Sequence, residues 1–281
     1  MKINLKTAML FMAGMAMALT SCSDDDDAPV DNGKPSVDKV FTQGLPKTVD
    51  GARFKVNAAG QLTEYKSDNN DVYTFEYGSF TRAESFDVKM TEKNTDYPDE
   101  GSTIYMKLNK QGFVTYALQV YNVPPYSSYA PEDEEWWFDY DKDGHLTYLK
   151  RTEGGDEFKV TYSGGDAVKV VQDETDGDHR EYTIAYSNAA HKSVVPNKGC
   201  IMLFDEALGI DMDEMAPAYY AGLLGKATTN LPMGSTTKGI EGGSSYTSTS
   251  NYGWTLNAAG LPLTFAVESE YGKEDEITFA W

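Results

Sequence analysis

FKVNAAGQLT at 54–63, MKLNKQGFVT at 106–115, FDYDKDGHLT at 138–147 and WTLNAAGLPL at 254–263 are four copies of one phrase. Each runs as an alternating strand, an Asn or Asp, two residues, a glycine, and a second strand entered through a hydrophobic residue. The physics is that of a β-hairpin. An Asn or Asp side chain opens the turn by bonding backbone two residues on, and glycine takes the left-handed position before the return strand. The repeated glycines Gly60, Gly112, Gly144 and Gly260 are separated by 52, 32 and 116 residues. Spacing so uneven excludes a strict solenoid or propeller and predicts a meander of unequal hairpins.

Further alternating segments at 72–77, 80–90, 158–162, 168–172, 180–186 and 276–281 bring the expectation to roughly 13 to 15 strands. With 19 tyrosines and a β-rich composition, the chain reads as mainly all-β. The expected form is a large curved antiparallel sheet or an open barrel. One amphipathic helix is predicted near 211–225. There Met212, Met215, Ala216, Tyr219, Tyr220, Leu223 and Leu224 recur at three- and four-residue spacing, Asp211 and Asp213 lead, and Gly225 follows as a cap. Pro217 is placed to break it, and its apolar face is expected on the sheet or across a barrel end. The Gly/Ser/Thr-rich stretch 234–250 reads as a loop.

The start of the chain predicts export. Lys2 and Lys6 precede a short apolar run, 8–19, that ends at Leu19-Thr20-Ser21-Cys22. This resembles the lipobox of bacterial lipoproteins, which implies a signal peptide at 1–21 and a diacylglycerol on Cys22. The acidic run Ser23 to Asp27 resembles the tag that directs many Bacteroidetes lipoproteins to the outer face of the outer membrane. Residues 22–37 then read as an acidic flexible tether and 38–281 as a single β-rich domain. The expected address is the outer membrane, on the cell surface and not in the cytoplasm, with the membrane reached through the lipid on Cys22.

Twenty-four Lys and Arg against 44 Asp and Glu give a net charge of −20, and loss of Lys2 and Lys6 makes it −22. Such a field, with no basic stripe, excludes nucleic acid as a partner. With Cys22 taken by lipid, Cys200 stands alone in an apolar run, 199–204, where an inert buried thiol is expected. Asp139, Asp141, Asp143 and Gly144 imitate the start of a calcium loop, but Lys150 occupies the twelfth position and the same place is a hairpin turn in the other copies. Asp205, Glu206, Asp211, Asp213 and Glu214 read as charges at helix starts. His145, His179 and His191 lack metal-ligand spacing, so neither a metal nor a cofactor is expected. No nucleophile elbow or phosphate loop is present.

The segment 205–213, the stretch AYYAGLLGKAT at 218–228 and Leu231-Pro232 resemble an uncharacterised Bacteroidetes surface-lipoprotein family, defined as a domain of unknown function and described as having a porin-like antiparallel fold. The resemblance implies that fold and brings no established activity or site residue with it.

The insertion 121–137 carries the candidate ligand-binding residues Tyr126, Tyr129, Trp136 and Trp137 among prolines and acids. Flat rings held on a proline-rich loop can stack on a sugar or a partner at small entropic cost. Because adjacent strand residues face opposite ways, at least one of the two tryptophans must belong to the core. The preferred reading is a non-enzymatic binding or accessory lipoprotein that engages a glycan, a peptide or an outer-membrane protein partner. The alternatives are a carbohydrate- or peptide-processing hydrolase and a structural envelope component.

Overall fold

A computed structural model describes residues 34–97, 101–122, 132–269 and 272–281. Cys22, Tyr126 and Tyr129 lie outside the described residues. The strands are β1 (Thr48–Val49), β2 (Ala52–Val56), β3 (Leu62–Lys66), β4 (Asp71–Thr81), β5 (Ser85–Asn94) and β6 (Ser102–Leu108). They continue as β7 (Val114–Tyr121), β8 (Glu134–Tyr140), β9 (Leu146–Arg151), β10 (Glu157–Ser163), β11 (Asp166–Asp173) and β12 (His179–Ala185). After a long connection come β13 (Gly234–Glu241), β14 (Ser244–Leu256), β15 (Pro262–Ser269) and β16 (Gly272–Ala280).

Each strand pairs antiparallel with its sequence neighbour, and β1 closes on β16 through Thr48↔Ala280 and Val49↔Phe279. The sheet is therefore a closed barrel rather than an open one. The two-residue β1 is reinforced by backbone bonds from Lys47 N–H to Ala280 O and from Asp50 N–H to Thr278 O, both 2.7 Å.

The repeated phrase is what the sequence implies. Oδ1 of Asn57 accepts the N–H groups of Ala59 and Gln61 at 2.9 and 3.0 Å, and Asn109, Asp141 and Asn257 repeat this pair of bonds. The carboxylate of Asp141 is thus spent on its turn. Gly60, Gly112, Gly144 and Gly260 all have φ between 76° and 91°. All four turns sit at one end of the barrel.

A barrel of sixteen strands is too wide for its wall side chains to fill; at this strand number an aqueous channel is the usual result. Here the β12–β13 connection, 186–233, enters the lumen. It contains α1 (Phe204–Leu208), a 3-10 turn Asp213–Met215 and α2 (Pro217–Tyr220). Its contacts reach walls on every side. The Tyr220 ring packs on Phe54 and Tyr65, the Tyr252 hydroxyl donates to Ala207 O at 3.2 Å, Val114 N–H donates to Leu223 O at 2.9 Å, and Lys226 N–H to Gly144 O at 2.8 Å. The inward strand residues and this plug form one apolar cluster.

Three expectations are corrected. There is no continuous helix over 211–225, because a plug surrounded by wall is buried on all sides and needs no amphipathic period; Pro217 starts α2 at a position where its missing N–H costs nothing. The stretch 234–250 is not a loop but most of the β13–β14 hairpin, turned at Gly242-Gly243. Cys200 is half-buried rather than buried, with φ of 51°.

The wall has a strict polarity. Along β8, Glu134, Trp136 and Phe138 face in while Glu135, Trp137 and Asp139 face out. Outward positions carry ion pairs such as Lys55–Glu64 and Lys169–Glu181, both 2.7 Å, and Lys89–Glu76. A charge on the lipid face of a transmembrane barrel costs about 2–4 kcal/mol at the bilayer midplane, so this wall is inverted relative to one that spans lipid. Among the described residues no helix is long and apolar enough to cross a membrane.

Tyr219 anchors the plug, packed edge-on against Phe41 and Phe204 at 5.4 Å and donating to Cys200 O at 2.6 Å. Tyr219→Ala is expected to cost about 3–5 kcal/mol, read as a lower urea midpoint with an unchanged slope.

Candidate functional site

The two ends of the barrel differ. At the end bearing the four Asn/Asp turns, the chain's first described residues form a cover: Val37, Val40 and Phe41 are buried, and Val37 N–H donates to Gly60 O at 2.9 Å. The plug leaves and re-enters the wall at this end. At the opposite end no described residue forms such a cover. There the tip of the plug, 205–215, stands among inward polar residues of the wall, with recesses on either side.

One recess of about 440 Å3 lies between the tip and β1–β3, lined by Asp50, Tyr65, Asp68, Asp205, Asp211 and Tyr220 among others. A second, of about 540 Å3, lies against β9–β12 and is lined by Arg151, Asp156, Gln172, Glu174, Arg180, Tyr182, Asp205, Asp211 and Asp213. Burial pushes the Asp205 carboxyl above its usual range, with the Asp211 charge adding to the effect. Both recesses are within the size range of small-ligand sites.

Arg151 joins the wall to the tip. It is 8% exposed, and its guanidinium donates through Nε to Asp156 Oδ2 at 2.7 Å, through Nη2 to Asp211 Oδ2 at 2.9 Å, and through Nη1 to Asp213 Oδ2 at 3.4 Å. The cation also lies 5.5 Å from the centre of the Trp136 ring, directly across the β8–β9 ladder. Asp211 and Asp213 are therefore partners of Arg151 as well as residues near the starts of short helical turns. Arg180 pairs with Glu174 and donates to Gln172 Oε1 at 3.2 Å.

On the third side, β4–β8 contribute inward Tyr73, Glu92, Ser102, Gln119, Tyr121, Glu134 and Trp136. Glu92 accepts from the Tyr73 hydroxyl at 3.2 Å and the Ser102 hydroxyl at 2.9 Å. Gln119 faces Glu134 across the β7–β8 ladder, and the Tyr121 hydroxyl donates to Glu134 Oε2 at 3.4 Å. Both polar atoms of Gln119, Oε1 of Glu134, Nε1 of Trp136 and Oε2 of Glu214 are buried without a hydrogen-bond partner. Burial pushes the Glu134 carboxyl up to about 7; the Glu153 charge adds to this and Arg151 opposes it. Burial likewise raises Glu214 to about 7, with Asp213 and Glu92 contributing.

Of the tryptophans singled out in the sequence, Trp136 is fully buried inside the wall, stacked on Phe138 at 6.2 Å. Trp137 is half-buried on the outer face beside Tyr116, 5.9 Å away. The structure does not bring the two rings together on one surface. Gln119, Glu134, Arg151 and Glu214 do converge at the open end and do not stand out as a set in the sequence. Their signal is phase, since Gln119 shares parity with Ala117, and Glu134 with Trp136 and Phe138, so each is a polar residue on an inward apolar face. Among the described residues, only Glu174, Asp176 and Asp178 bring three carboxylate oxygens within 4.8 Å of one another. These lie in the β11–β12 turn, where Glu174 is already paired with Arg180.

The fold is thus a plugged, water-facing barrel with one polar mouth. The chain belongs to the family described as a domain of unknown function (DUF4595) with porin-like fold, whose model matches residues 54–264. A porin-like protein from Bacteroides uniformis is similar in fold, with a TM-score of 0.54 and 17% identity over 82% of this chain and 89% of that one. One from Bacteroides vulgatus gives 0.55 and 14% over 85% and 99%. No curated protein matches the chain.

Two outcomes follow. An acid with a raised folded pKa holds a proton that the unfolded chain gives up, so its contribution to stability falls as pH rises from about 4.5 toward 7. The melting temperature is expected to drop between pH 5 and pH 8, and Glu134→Gln with Glu214→Gln should flatten that profile. Removing the guanidinium in Arg151→Met leaves buried Asp156 unpaired, at a cost of about 3–5 kcal/mol. Amide exchange should then speed up over 209–215.

Proposed function

We propose that this protein is a lipid-tethered, surface-exposed binding protein whose ligand enters the open end of the barrel. The observation that carries this reading is the asymmetry of the ends: one is sealed by the N-terminal cover and the plug, while at the other the described residues leave two recesses lined by charged side chains. The sequence of the first residues supports the tether, through lipid on Cys22, and a charged outer wall suits a barrel held at a membrane by a lipid rather than by its strands. The acidic mouth disfavours anionic ligands and suits neutral or cationic ones.

Two measurements test this. Cys22→Ser is expected to move the protein out of the membrane fraction. The soluble protein lacking residues 1–31 is screened by thermal shift against neutral glycans, basic peptides, polyamines and calcium. A ligand at a hundred times its Kd adds about 2.7 kcal/mol, a rise of roughly 5–10 °C for a domain of this size. Asp68→Arg in the first recess or Arg180→Glu in the second should cancel the shift, and Lys110→Glu at the sealed end should not. A ligand indifferent to both mouth variants would overturn the assignment.

The two carboxyls held near neutrality favour a second reading, a carbohydrate hydrolase with Glu134 or Glu214 as proton donor. Release of reducing sugar that disappears in Glu134→Gln would support it; absence of release across a polysaccharide panel would exclude it.

A further inference from the structure

We infer that the first recess, between the plug tip and β1–β3, is a subsite for an alkylammonium group, the positively charged end of an amine on an aliphatic stem. The inference rests on reading the mouth as the binding site, and it adds the recess and the chemical class of the ligand.

The floor and the rim of this recess differ in chemistry. Val49, Met202, Phe204, Met212, Tyr219 and Tyr220 are buried and line its depth, while Asp50, Asp68, Asp205 and Glu206 stand exposed around it. Asp211 and Asp213 also line it and share Arg151. Among the described residues that line the recess none carries a positive charge, whereas Arg151 and Arg180 line the second.

Tyr220 adds a hydrogen-bonding group that the fold leaves unused. Its ring is enclosed by those of Phe41, Phe54, Tyr65 and Tyr219, with centroids 5.0 to 6.0 Å away, and the residue is 9% exposed. Its hydroxyl has no hydrogen-bond partner among the described residues. Unlike the Tyr140 and Tyr162 hydroxyls, which are closed off without a partner, it belongs to a residue that lines a solvent-reached recess. Burial holds the Tyr220 phenol above its ordinary range, with Tyr65, Glu206 and Asp50 contributing. Burial likewise pushes the Tyr65 phenol up to about 12, and Asp68, Asp50, Asp71 and Glu206 add to it. Acids of the rim therefore lie within electrostatic reach of both phenols, and both keep their protons.

These features select the ligand. An anion is repelled by the rim. A neutral molecule would displace the water that solvates Asp50, Asp68 and Asp205 and return no opposite charge. A bare divalent ion needs several oxygens converging on one point, and the carboxylates that converge in this way, Glu174, Asp176 and Asp178, line no part of this recess. An ammonium group spreads three N–H donors over separate acceptors. Here those are the rim carboxylates and the Tyr220 oxygen, while the stem covers the apolar floor and the tyrosine rings favour a cation.

The probes are cadaverine and spermidine as free amines, acetyl-lysine methylamide as the side chain of a peptide, and pentanediol as the uncharged counterpart of cadaverine. Each is titrated calorimetrically into the soluble protein lacking residues 1–31; residues 32–281 form one compact unit. At least one amine is expected to bind saturably, with an affinity that falls as salt is raised, and pentanediol is expected not to bind. Asp50→Asn combined with Asp68→Asn should weaken binding about tenfold or more. Tyr220→Phe keeps the ring and its packing and removes only the oxygen. It should weaken binding about fivefold and leave the melting temperature of the free protein in place, whereas a hydroxyl with a merely structural role would do the reverse. If that variant fails to fold, the aspartate pair, exposed in two turns, decides alone.

Amine binding that spares these variants but is lost in Arg180→Glu would overturn the assignment of this recess and keep the mouth. Binding of a saccharide or of calcium with no response to any amine, or equal binding of pentanediol, would overturn the ligand class and keep the mouth. Amine binding lost only in Lys110→Glu, at the sealed end, would overturn both, and no binding of any amine would overturn the inference.

Discussion

The width of a sixteen-strand barrel governs the rest of the molecule. Wall side chains alone cannot fill such a cylinder, and an empty apolar lumen would forfeit the burial on which the fold depends. The β12–β13 connection resolves this by entering the lumen with Met202, Phe204, Leu208, Met215, Tyr219 and Leu223, which meet inward residues from opposite walls in one cluster. Once the plug is required, the sealed end follows, because the plug must both leave and re-enter the wall and does so beside the Asn/Asp turns. The cover formed by Val37, Val40 and Phe41 then packs on Tyr219 and Tyr220.

The same constraint sets where charge can go. A net charge of −20 cannot be placed in an apolar lumen. Most charged residues occupy the outward phase of the strands, where water screens them and cross-strand lysine–glutamate pairs form. Those that point inward gather at the open end, which the plug tip reaches but does not fill. Arg151 makes this tolerable by neutralising wall and tip together: without it, Asp156, Asp211 and Asp213 would face one another in a partly dry space. The mouth is the part of the lumen where carboxylates can survive, and it is also the part that solvent can enter.

The hairpins were legible in the sequence because their information is local. An Asn or Asp, a glycine three residues on and flanking alternation specify a turn without reference to the rest of the chain. Closure was not legible, since it rests on a two-residue strand at 48–49 meeting the far end of the chain. The plug was misread because a segment buried on all sides has no exposed face to interrupt its apolar residues, and the spacing of Met212 to Leu224 imitates a helix. The 234–250 stretch was misread for the converse reason. Small residues such as Gly234, Ser235 and Gly239 suit close strand packing there, and Ser and Thr populate the water-facing side. At the mouth, Asp205 to Glu214 were visible as an acidic cluster, but their pairing with Arg151 is long-range. Gln119 and Glu134 could have been found by asking which polar residues share phase with buried neighbours.

Stability and the inward polar residues of β7–β8 pull in opposite directions. Replacing buried polar residues by apolar ones of similar shape is often neutral or stabilising, and the positions occupied by Gln119 and Glu134 lie in line with Ala117, Trp136 and Phe138, which show what the wall accepts there. Burial that holds two glutamates near neutrality stores a further cost as the pH approaches 7. Costs of this kind persist where surrounding structure over-determines them, and they concentrate at sites that act. Buried atoms without partners occur at both ends of the lumen, in Gln119, Glu134, Trp136 and Glu214 near the mouth and in the Tyr140 and Tyr162 hydroxyls beside the Asn/Asp turns, so what sets the mouth apart is its charge, with two carboxyls held near 7 by burial among other acids.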